Sequence, residues 1–350
     1  MTELHHVAVE ETDIAFDCVP GRTLLDAAEA AGWSLPYSCR RGVCNSCLGT
    51  ITSGTVRDQR TGRENGPGED ALLCQVVPDG PVRIRPRRIT RSGPPRRRRL
   101  TARVYRVRHP APHVVVLELR YPIGRRIPFR AGQYLEVRLP GAESRPYSFA
   151  NPPRDNDMAE LHVRIEPGGR FSDRTARHLR PGDLVTIEAP YGDAALEPGA
   201  EPLVLLATGT GFAPMRSLIM HQVTQRVTRP ITLYWGGRHE SDLYLLDTVL
   251  RWSRRLPWLS VHPVLSRPDH TWNGATGYVQ EIAAAHHPDL TRYTVYACGN
   301  PAMTRAAQEL LTTATGLPPE RFIADAFVPV DASDPSPAPT TWPSATPTAR

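Results

Sequence analysis

The sequence predicts a multidomain chain with three folded parts: an α+β domain built around a cysteine-rich loop, an antiparallel β-barrel, and an α/β domain with a parallel sheet. Three observations predict it: closely spaced cysteines near the start, short alternating apolar runs from about residue 100, and strand–helix alternation in the last third. The 350 residues exceed the roughly 100–200 residues of a usual single domain. The predicted boundaries are 1–85, a linker at 86–99, 100–198, 199–329, and a disordered tail at 330–350.

Composition and charge exclude several classes of protein. No run approaches the roughly 20 consecutive apolar residues of a membrane span, and the first residues do not resemble a signal peptide, so we expect a cytoplasmic protein. Residues 83–108 carry 12 arginines and no acidic residue, whereas residues 1–82 carry 6 arginines against 12 acidic residues. Because proline and glycine interrupt this basic segment, we interpret it as an exposed connector and not as a nucleic-acid site. Contact with an acidic surface is the alternative.

The first part of the chain carries the strongest signal. Three cysteines form a C-x4-C-x2-C run and a fourth follows after 26 intervening residues, which is the spacing of a plant-type [2Fe–2S] site. Zinc is the alternative, although zinc sites usually pair two C-x2-C knuckles. Gly42 should let the loop turn so that amide N–H groups face the sulfurs, and Cys18, on an apolar alternation, is predicted to be a packed thiol. The predicted ligands are Cys39, Cys44, Cys47 and Cys74.

The middle part carries two motifs suited to a flavin. The first is Arg145-Pro146-Tyr147-Ser148, which offers a guanidinium for phosphate, an aromatic ring and a hydroxyl. The second runs through His162, Val163 and Arg164 to the pair Gly168-Gly169, which permits close backbone approach. Ser172 is predicted to cap a helix over 173–179, whose free amides would meet a pyrophosphate. The five predicted barrel strands are Ala102–Val107, Val114–Leu119, Tyr134–Leu139, Leu161–Ile165 and Leu184–Glu188.

The last part places nicotinamide-binding motifs after predicted strands. Thr208-Gly209-Thr210-Gly211 followed by Pro214 forms a strand-to-helix turn on which a dinucleotide pyrophosphate can lie. Arg238 follows the second strand, where an adenosine ribose is expected, while Cys298-Gly299-Asn300-Pro301 would bring a thiol near a nicotinamide. A buried structural cysteine is the alternative for Cys298, and core packing is the alternative for the terminal Phe327.

The cysteine loop resembles the ferredoxin domain of iron–sulfur flavoprotein reductases, whose pattern is C-x-x-G-x-C-G-x-C. Asn45 stands where glycine is usual, and asparagine is the residue that best tolerates a left-handed backbone there. The barrel motifs resemble the ferredoxin–NADP reductase superfamily. The resemblance implies a β-grasp [2Fe–2S] domain, an FAD-binding barrel and an NAD(P)-binding domain, and the N-terminal ferredoxin favours FAD over FMN.

The whole order resembles the reductase components of bacterial multicomponent oxygenases, such as naphthalene dioxygenase and xylene monooxygenase. This resemblance implies that electrons pass from NADH through FAD to the cluster, then by way of Arg40, Arg41 and Asn45 to an oxygenase or a ferredoxin. It also implies that Ser148 polarises the flavin N5 edge, that Cys298 places the nicotinamide, and that Phe327 covers the flavin.

Three alternatives stay open. Arg238 suits the 2′-phosphate of NADPH, whereas Glu240 suits the free ribose of NADH, which we expect to be the coenzyme. The sister group of CDP-6-deoxyhexose reductases has the same domain order. A non-catalytic redox sensor built from the same modules is the alternative from another class.

Overall fold

The structure is a computed structural model that describes residues 4–91, 97–138, 144–169, 171–193 and 199–327. These residues fall into two compact units. The first contains the described part of residues 1–96, with short segments at 192–194 and 324–326, and the second contains the rest. The predicted tail at 330–350 lies outside the described residues.

The first unit is a mixed sheet packed against one helix. Alternating apolar residues put one face of its strands into a core with the buried leucines of the helix, Leu24 and Leu25. The main sheet has the order β2-β1-β9-β4-β7, in which β1 and β9 run parallel and the other neighbouring strands run antiparallel. Two smaller sheets, β10-β3 and β6-β5-β8, complete the unit. The elements of the unit are β1 (His5–Val9), β2 (Ala15–Cys18), α1 (Leu24–Ala30), β3 (Trp33–Ser34), β4 (Leu48–Ser53), β5 (Val56–Asp58), β6 (Glu64–Asn65), β7 (Asp70–Leu72), β8 (Val76–Pro78), β9 (Val82–Pro86) and β10 (Thr90–Arg91).

Local sequence signals explain how α1 begins and ends. The Thr23 hydroxyl accepts a hydrogen bond from the Asp26 N–H at 3.2 Å, which caps the first turn. Gly32 follows the helix with a φ of +82°, a conformation that glycine adopts without steric cost.

The second unit begins with a six-stranded antiparallel sheet in the order β14-β13-β16-β11-β12-β15. The Ala150 N–H donates to the Glu160 carbonyl at 2.9 Å and so links the chain after β14 to β15, at the opposite edge of the sheet. The sheet thereby curls as the predicted barrel does, around a core that includes Phe149 and Phe171. The strands are β11 (Arg98–Ala111), β12 (Val114–Arg120), β13 (Tyr134–Arg138), β14 (Ser144–Ser148), β15 (Met158–Arg164) and β16 (Leu184–Tyr191).

The remaining elements build a second six-stranded sheet in the order β20-β19-β18-β17-β21-β22. The pairs β17–β18, β17–β21 and β18–β19 run parallel, and helices connect them, as the strand–helix alternation predicts. The strands of this sheet and the helices between them are β17 (Leu203–Thr208), α2 (Phe212–Gln225), β18 (Ile231–Gly237), α3 (Leu246–Arg255), β19 (Leu259–Leu265), β20 (Ala275–Thr276), α4 (Val279–His286), β21 (Thr294–Gly299), α5 (Pro301–Ala314) and β22 (Phe322–Ala326).

Several described residues of the predicted basic linker at 86–99 belong to strands. Thr90 and Arg91 pair with β3, and Arg98 and Arg99 pair with β16. Residues 92–96 lie outside the described residues. Within the described part of the chain, no helix is both long and apolar enough to cross a membrane.

Two glycines of the first unit allow a test of how strongly its backbone is constrained. Gly54, between β4 and β5, has a φ of +80°, and a Cβ there would lie 2.4 Å from the Pro81 carbonyl oxygen. Gly62 has a similar φ of +71° but no atom within 4 Å of its Cβ position. The pair separates the cost of a left-handed backbone from the cost of a backbone clash.

We expect Gly62→Ala to lower the opening free energy of the first unit by about 1 kcal/mol, the cost of a left-handed alanine. Gly54→Ala should cost about 2–3 kcal/mol or more, because the Pro81 backbone cannot yield as a side chain would. Hydrogen exchange of the β4–β9 amides, read by mass spectrometry, measures both losses. Equal protection in the two variants would contradict the account of Gly54.

Candidate functional site

The cysteine loop wraps its backbone around four converging sulfurs. Three of its residues have left-handed φ angles: Arg40 at +52°, Gly42 at +69° and Asn45 at +57°. The prediction that Asn45 accommodates the position where glycine is usual is thus confirmed. The Arg41 N–H donates to Cys39 Sγ at 3.3 Å, so backbone amides face the sulfurs as predicted.

The sulfurs lie in two pairs, Cys39 with Cys44 and Cys47 with Cys74. Contact with Cys44, together with three backbone N–H groups, lowers the pKa of Cys39 to about 7 although burial opposes this. Contact with Cys74 and burial raise the pKa of Cys47. Among the described residues, no group of three or more His, Cys, Asp or Glu side chains is arranged to hold a single metal ion. Two pairs of sulfurs fit two bridged irons, each held by one pair.

Cys18 is a packed thiol, as predicted. It is fully buried, and its Sγ donates to the carbonyls of Val19 and Arg22. Burial raises the pKa of Cys18 to about 11, so its thiol stays protonated at neutral pH.

The predicted exit for electrons includes Arg40, whose charge is already compensated. Its guanidinium donates to Asp26 at 2.6 Å and to Glu29, and it lies 4.4 Å from the centre of the Tyr37 ring. These contacts hold the loop in place. They leave Arg40 less suited to attract an acidic partner than a solvated arginine would be.

The first flavin motif lies on β14, at one edge of the barrel sheet. Arg145 and Tyr147 alternate onto the same face of the strand, and the Tyr147 ring lies 5.3 Å from the ring of buried Phe171. Ser148, at the end of the strand, is buried with 4% of its surface exposed. The strand thus presents the aromatic ring, guanidinium and hydroxyl that a flavin needs within four residues, and Pro146 between them is exposed.

The second flavin motif forms a tight turn and not the predicted helix. Ser172–Ala176 is one π-helical turn, and the Ser172 hydroxyl accepts the Glu166 N–H at 3.2 Å instead of capping a helix over 173–179. Gly168 has a φ of +74°, and its N–H donates to the Asp173 carboxylate at 2.9 Å. A Cβ on Gly169 would lie 2.4 Å from Ser172 Oγ, so this glycine is required for packing within the turn itself.

His162 belongs to a buried polar network that the sequence does not reveal. Its Nε2 lies 2.9 Å from a Glu160 oxygen and its Nδ1 lies 2.7 Å from the Tyr244 hydroxyl. Burial would raise the pKa of Glu160, but His162 and Arg216 outweigh it and lower the pKa to about 2. Glu160 is therefore ionised, and the His162 ring donates to it and accepts from Tyr244. Both ring nitrogens of His162 are thus engaged within the protein, so neither is left for the predicted role in FAD binding. Val163 is buried in the barrel core.

The predicted nicotinamide turn joins β17 to α2. Gly209 has a φ of +53°, and its carbonyl accepts the Trp235 indole N–H at 3.0 Å. The Trp235 ring stacks on Phe212 with 4.1 Å between the ring centres. A Cβ on Gly209 would lie 3.6 Å from the Arg164 guanidinium, so this predicted flavin residue lies beside the glycine turn. Thr210 is buried, and Pro214 lies in the first turn of α2.

The second nicotinamide motif packs directly against the first. A Cβ on Gly211 would lie 2.2 Å from the Cys298 carbonyl, and one on Gly299 would lie 2.1 Å from the Thr208 hydroxyl, so both positions require glycine. Asn300 caps α5 through the Ala302 N–H, with Pro301 as the first residue of the helix. Cys298 is fully buried at the end of β21.

Phe327 lies next to this second turn. Its N–H donates to the Gly299 carbonyl at 2.8 Å, and its side chain is half-buried. The structure therefore brings the glycine turn, the Cys298 segment and Phe327 together, while their individual roles stay predictions.

The loop after β18 carries Arg238 together with a second arginine. Asp242 accepts the N–H groups of Arg238 and His239 at 2.8 and 3.1 Å, which fixes the loop, and it also pairs with His113 at 3.1 Å. The Arg267 N–H donates to the Arg238 carbonyl at 2.9 Å, and both arginine side chains are exposed. Neither Asp242 nor Arg267 carries a sequence signal of its own.

Comparison with family models gives three matches in the predicted order. Residues 7–79 match a 2Fe-2S iron–sulfur cluster binding domain, residues 108–195 an oxidoreductase FAD-binding domain, and residues 205–309 an oxidoreductase NAD-binding domain. The four-cysteine site, the flavin motifs and the two nicotinamide turns lie within or at the borders of these segments. The chain accordingly binds a [2Fe–2S] cluster, FAD and NADH.

Several known proteins match this chain over nearly its whole length. The chain is 39% identical to the reductase component 2 of terephthalate 1,2-dioxygenase from Comamonas sp, over 92% of this chain and 97% of the relative. It is 32% identical to the CDP-6-deoxy-L-threo-D-glycero-4-hexulose-3-dehydrase reductase of Yersinia pseudotuberculosis, over 93% and 98%. The crystal structure of an Amycolatopsis cytochrome P450 reductase matches with a TM-score of 0.73 and 30% identity, over 94% and 100%. The chain belongs to the family of NAD(P)H-dependent iron–sulfur flavoprotein reductases that includes the reductase components of bacterial oxygenases.

Proposed function

We propose that this chain is the reductase component of a bacterial dioxygenase that acts on an aromatic substrate, and that it works in the cytoplasm. The observation that carries the proposal is the 39% identity to a terephthalate dioxygenase reductase over nearly the full length of both chains. The other two relatives described above are 32% and 30% identical. The cytoplasm also keeps cysteine thiols reduced and available as ligands.

The residues of the chain supply binding and orientation. NADH gives up two electrons together and a [2Fe–2S] cluster takes one at a time, so a bound flavin, which can do both, must connect them. We assign the flavin ring to Tyr147 and its polar edge to Ser148, with Arg145 facing phosphate. Gly209 and Gly211 leave room for the nicotinamide dinucleotide on the start of α2, and Cys298 borders the nicotinamide.

The second candidate is the reductase of a deoxysugar dehydrase, favoured by the 32% identity over 98% of the Yersinia relative. Both candidates share the domain order and the cofactors. They differ only in the protein that accepts the electrons, so a test must vary the acceptor.

Reconstitution with defined acceptors tests the proposal. The full chain with its cofactors is mixed with NADH and, in separate reactions, with the oxygenase component of terephthalate dioxygenase or with a CDP-hexulose dehydrase. We expect substrate-dependent NADH oxidation and dihydroxylated product only with the oxygenase. Turnover with the dehydrase alone would contradict the proposal and favour the second candidate.

The order of electron flow predicts the behaviour of Cys44→Ser. Because one thiolate of the cluster is lost, we expect NADH to reduce the flavin as before and the reduction of cytochrome c to be abolished. Stopped-flow absorbance follows the flavin, and steady-state kinetics follows cytochrome c. Cys18→Ser is the matched control, since Cys18 is a buried thiol outside the cluster. Full cytochrome c activity in the Cys44 variant would show that electrons leave from the flavin.

The choice of coenzyme predicts the behaviour of Arg238→Ala. If Arg238 meets a 2′-phosphate, losing a charge-assisted contact worth about 1.5–3 kcal/mol should lower kcat/KM for NADPH about tenfold or more and leave that for NADH unchanged. The ratio of kcat/KM for the two coenzymes measures this. Arg251→Ala, an exposed arginine on α3, is the control. An unchanged ratio would remove Arg238 from coenzyme selection.

A further inference from the structure

Gln75 directly follows the fourth cysteine and connects the two parts of the cluster site. Its side-chain amide Nε2 lies 3.3 Å from Cys74 Sγ, 3.0 Å from the Arg40 carbonyl and 2.8 Å from the Cys74 carbonyl. Cys74 comes from the segment after β7, whereas Arg40 belongs to the loop that carries the other three ligands. One amide group therefore spans chain segments 35 residues apart and also reaches a ligand sulfur.

The loop is shaped to receive this side chain. A Cβ on Gly42 would lie 2.8 Å from Gln75 Cγ and 3.3 Å from its Cδ, so the absence of a side chain at Gly42 leaves the space that Gln75 occupies. The Gly42 N–H itself faces Cys74. Two donors, one from the backbone and one from a side chain, thus point at the same sulfur.

A donor at a ligand sulfur affects the two redox states of a cluster unequally. Reduction adds negative charge that is shared with the sulfurs, so an N–H group stabilises the reduced state more than the oxidised state. The effect is larger when water is excluded, and Cys74 is 7% exposed. We propose that Gln75 is a positioning residue that raises the reduction potential of the [2Fe–2S] cluster by donating a hydrogen bond to Cys74 Sγ.

A purely structural role makes a different prediction. If Gln75 only ties the loop to the Cys74 segment through the Arg40 carbonyl, its loss would release iron or lower stability but leave the potential of intact clusters unchanged. The reduction potential of the cluster is therefore the readout that separates the two roles. The iron content per chain reports on the purely structural role.

The experiment is a redox titration of the full chain with both cofactors, in which EPR measures the amount of reduced cluster at each potential. Gln75→Leu removes the donor, and Gln75→Glu keeps the length but replaces the donor with a carboxylate. We expect Gln75→Leu to shift the cluster equilibrium about tenfold toward the oxidised form, which for one electron is a lowering of about 59 mV. Gln75→Glu should lower the potential further, because it adds negative charge near the sulfur.

Two internal standards are available. Gln59→Leu is the matched control, since Gln59 lies in the same unit and its amide donates to the Gly21 carbonyl at 2.9 Å. Its potential should equal that of the unaltered protein, and the flavin potential should not move in any variant.

Three results would overturn the proposal. The first is an unchanged cluster potential in Gln75→Leu with full iron content. The second is an equal lowering in Gln59→Leu. The third is loss of iron from both Gln75 variants, which would show that Gln75 only holds the two chain segments together. If only Gln75→Leu loses iron, an unchanged cluster potential in Gln75→Glu overturns the proposal.

Discussion

The convergence of four thiol sulfurs from two separate stretches of chain is the constraint on which the first unit depends. Three ligands come from one nine-residue loop, and the loop can close only because Arg40, Gly42 and Asn45 adopt left-handed backbone angles. Arg40 is held there by Asp26 and Glu29 on α1, and Gln75 ties the loop to the segment of the fourth ligand. The strands and helix of this unit thus serve to fix a loop conformation that few residues tolerate.

A comparable constraint governs the nicotinamide end of the second unit. The turns after β17 and β21 approach so closely that Gly211 and Gly299 have no room for a Cβ. Parallel strands bring their carboxyl ends to one edge of the sheet, so the two motifs form one surface. The Asn300 N–H donates to the Thr208 hydroxyl at 3.1 Å, although these residues lie 92 positions apart. A dinucleotide can lie close to the backbone only where residues without side chains leave room for it.

Much of this arrangement is predictable because its signals are local. The cysteine spacing, the glycine turns and the period of apolar residues predict the three folded parts, the cluster ligands and the conformation of Asn45. The helix over 173–179 was wrong because the Ser172 hydroxyl accepts the N–H of Glu166, so a side-chain contact within the turn replaces the cap.

Other features could not be predicted because their partners are distant in the sequence. His162 meets Tyr244, 82 residues away, and Asp242 meets His113 across the same unit. No sequence pattern around a single histidine or aspartate indicates such a distant partner. Gln75 was also missed, although its position next to a ligand cysteine is a signal that sequence reasoning can use.

In the proposed electron path, the flavin connects NADH to the cluster. The direct test is anaerobic addition of NADH to the full chain with FAD and without it, with the cluster intact in both samples. EPR then records the signal of the reduced cluster. We expect a signal near one unpaired electron per chain only in the protein that holds FAD. A cluster that NADH reduces equally well after FAD has been removed would contradict it.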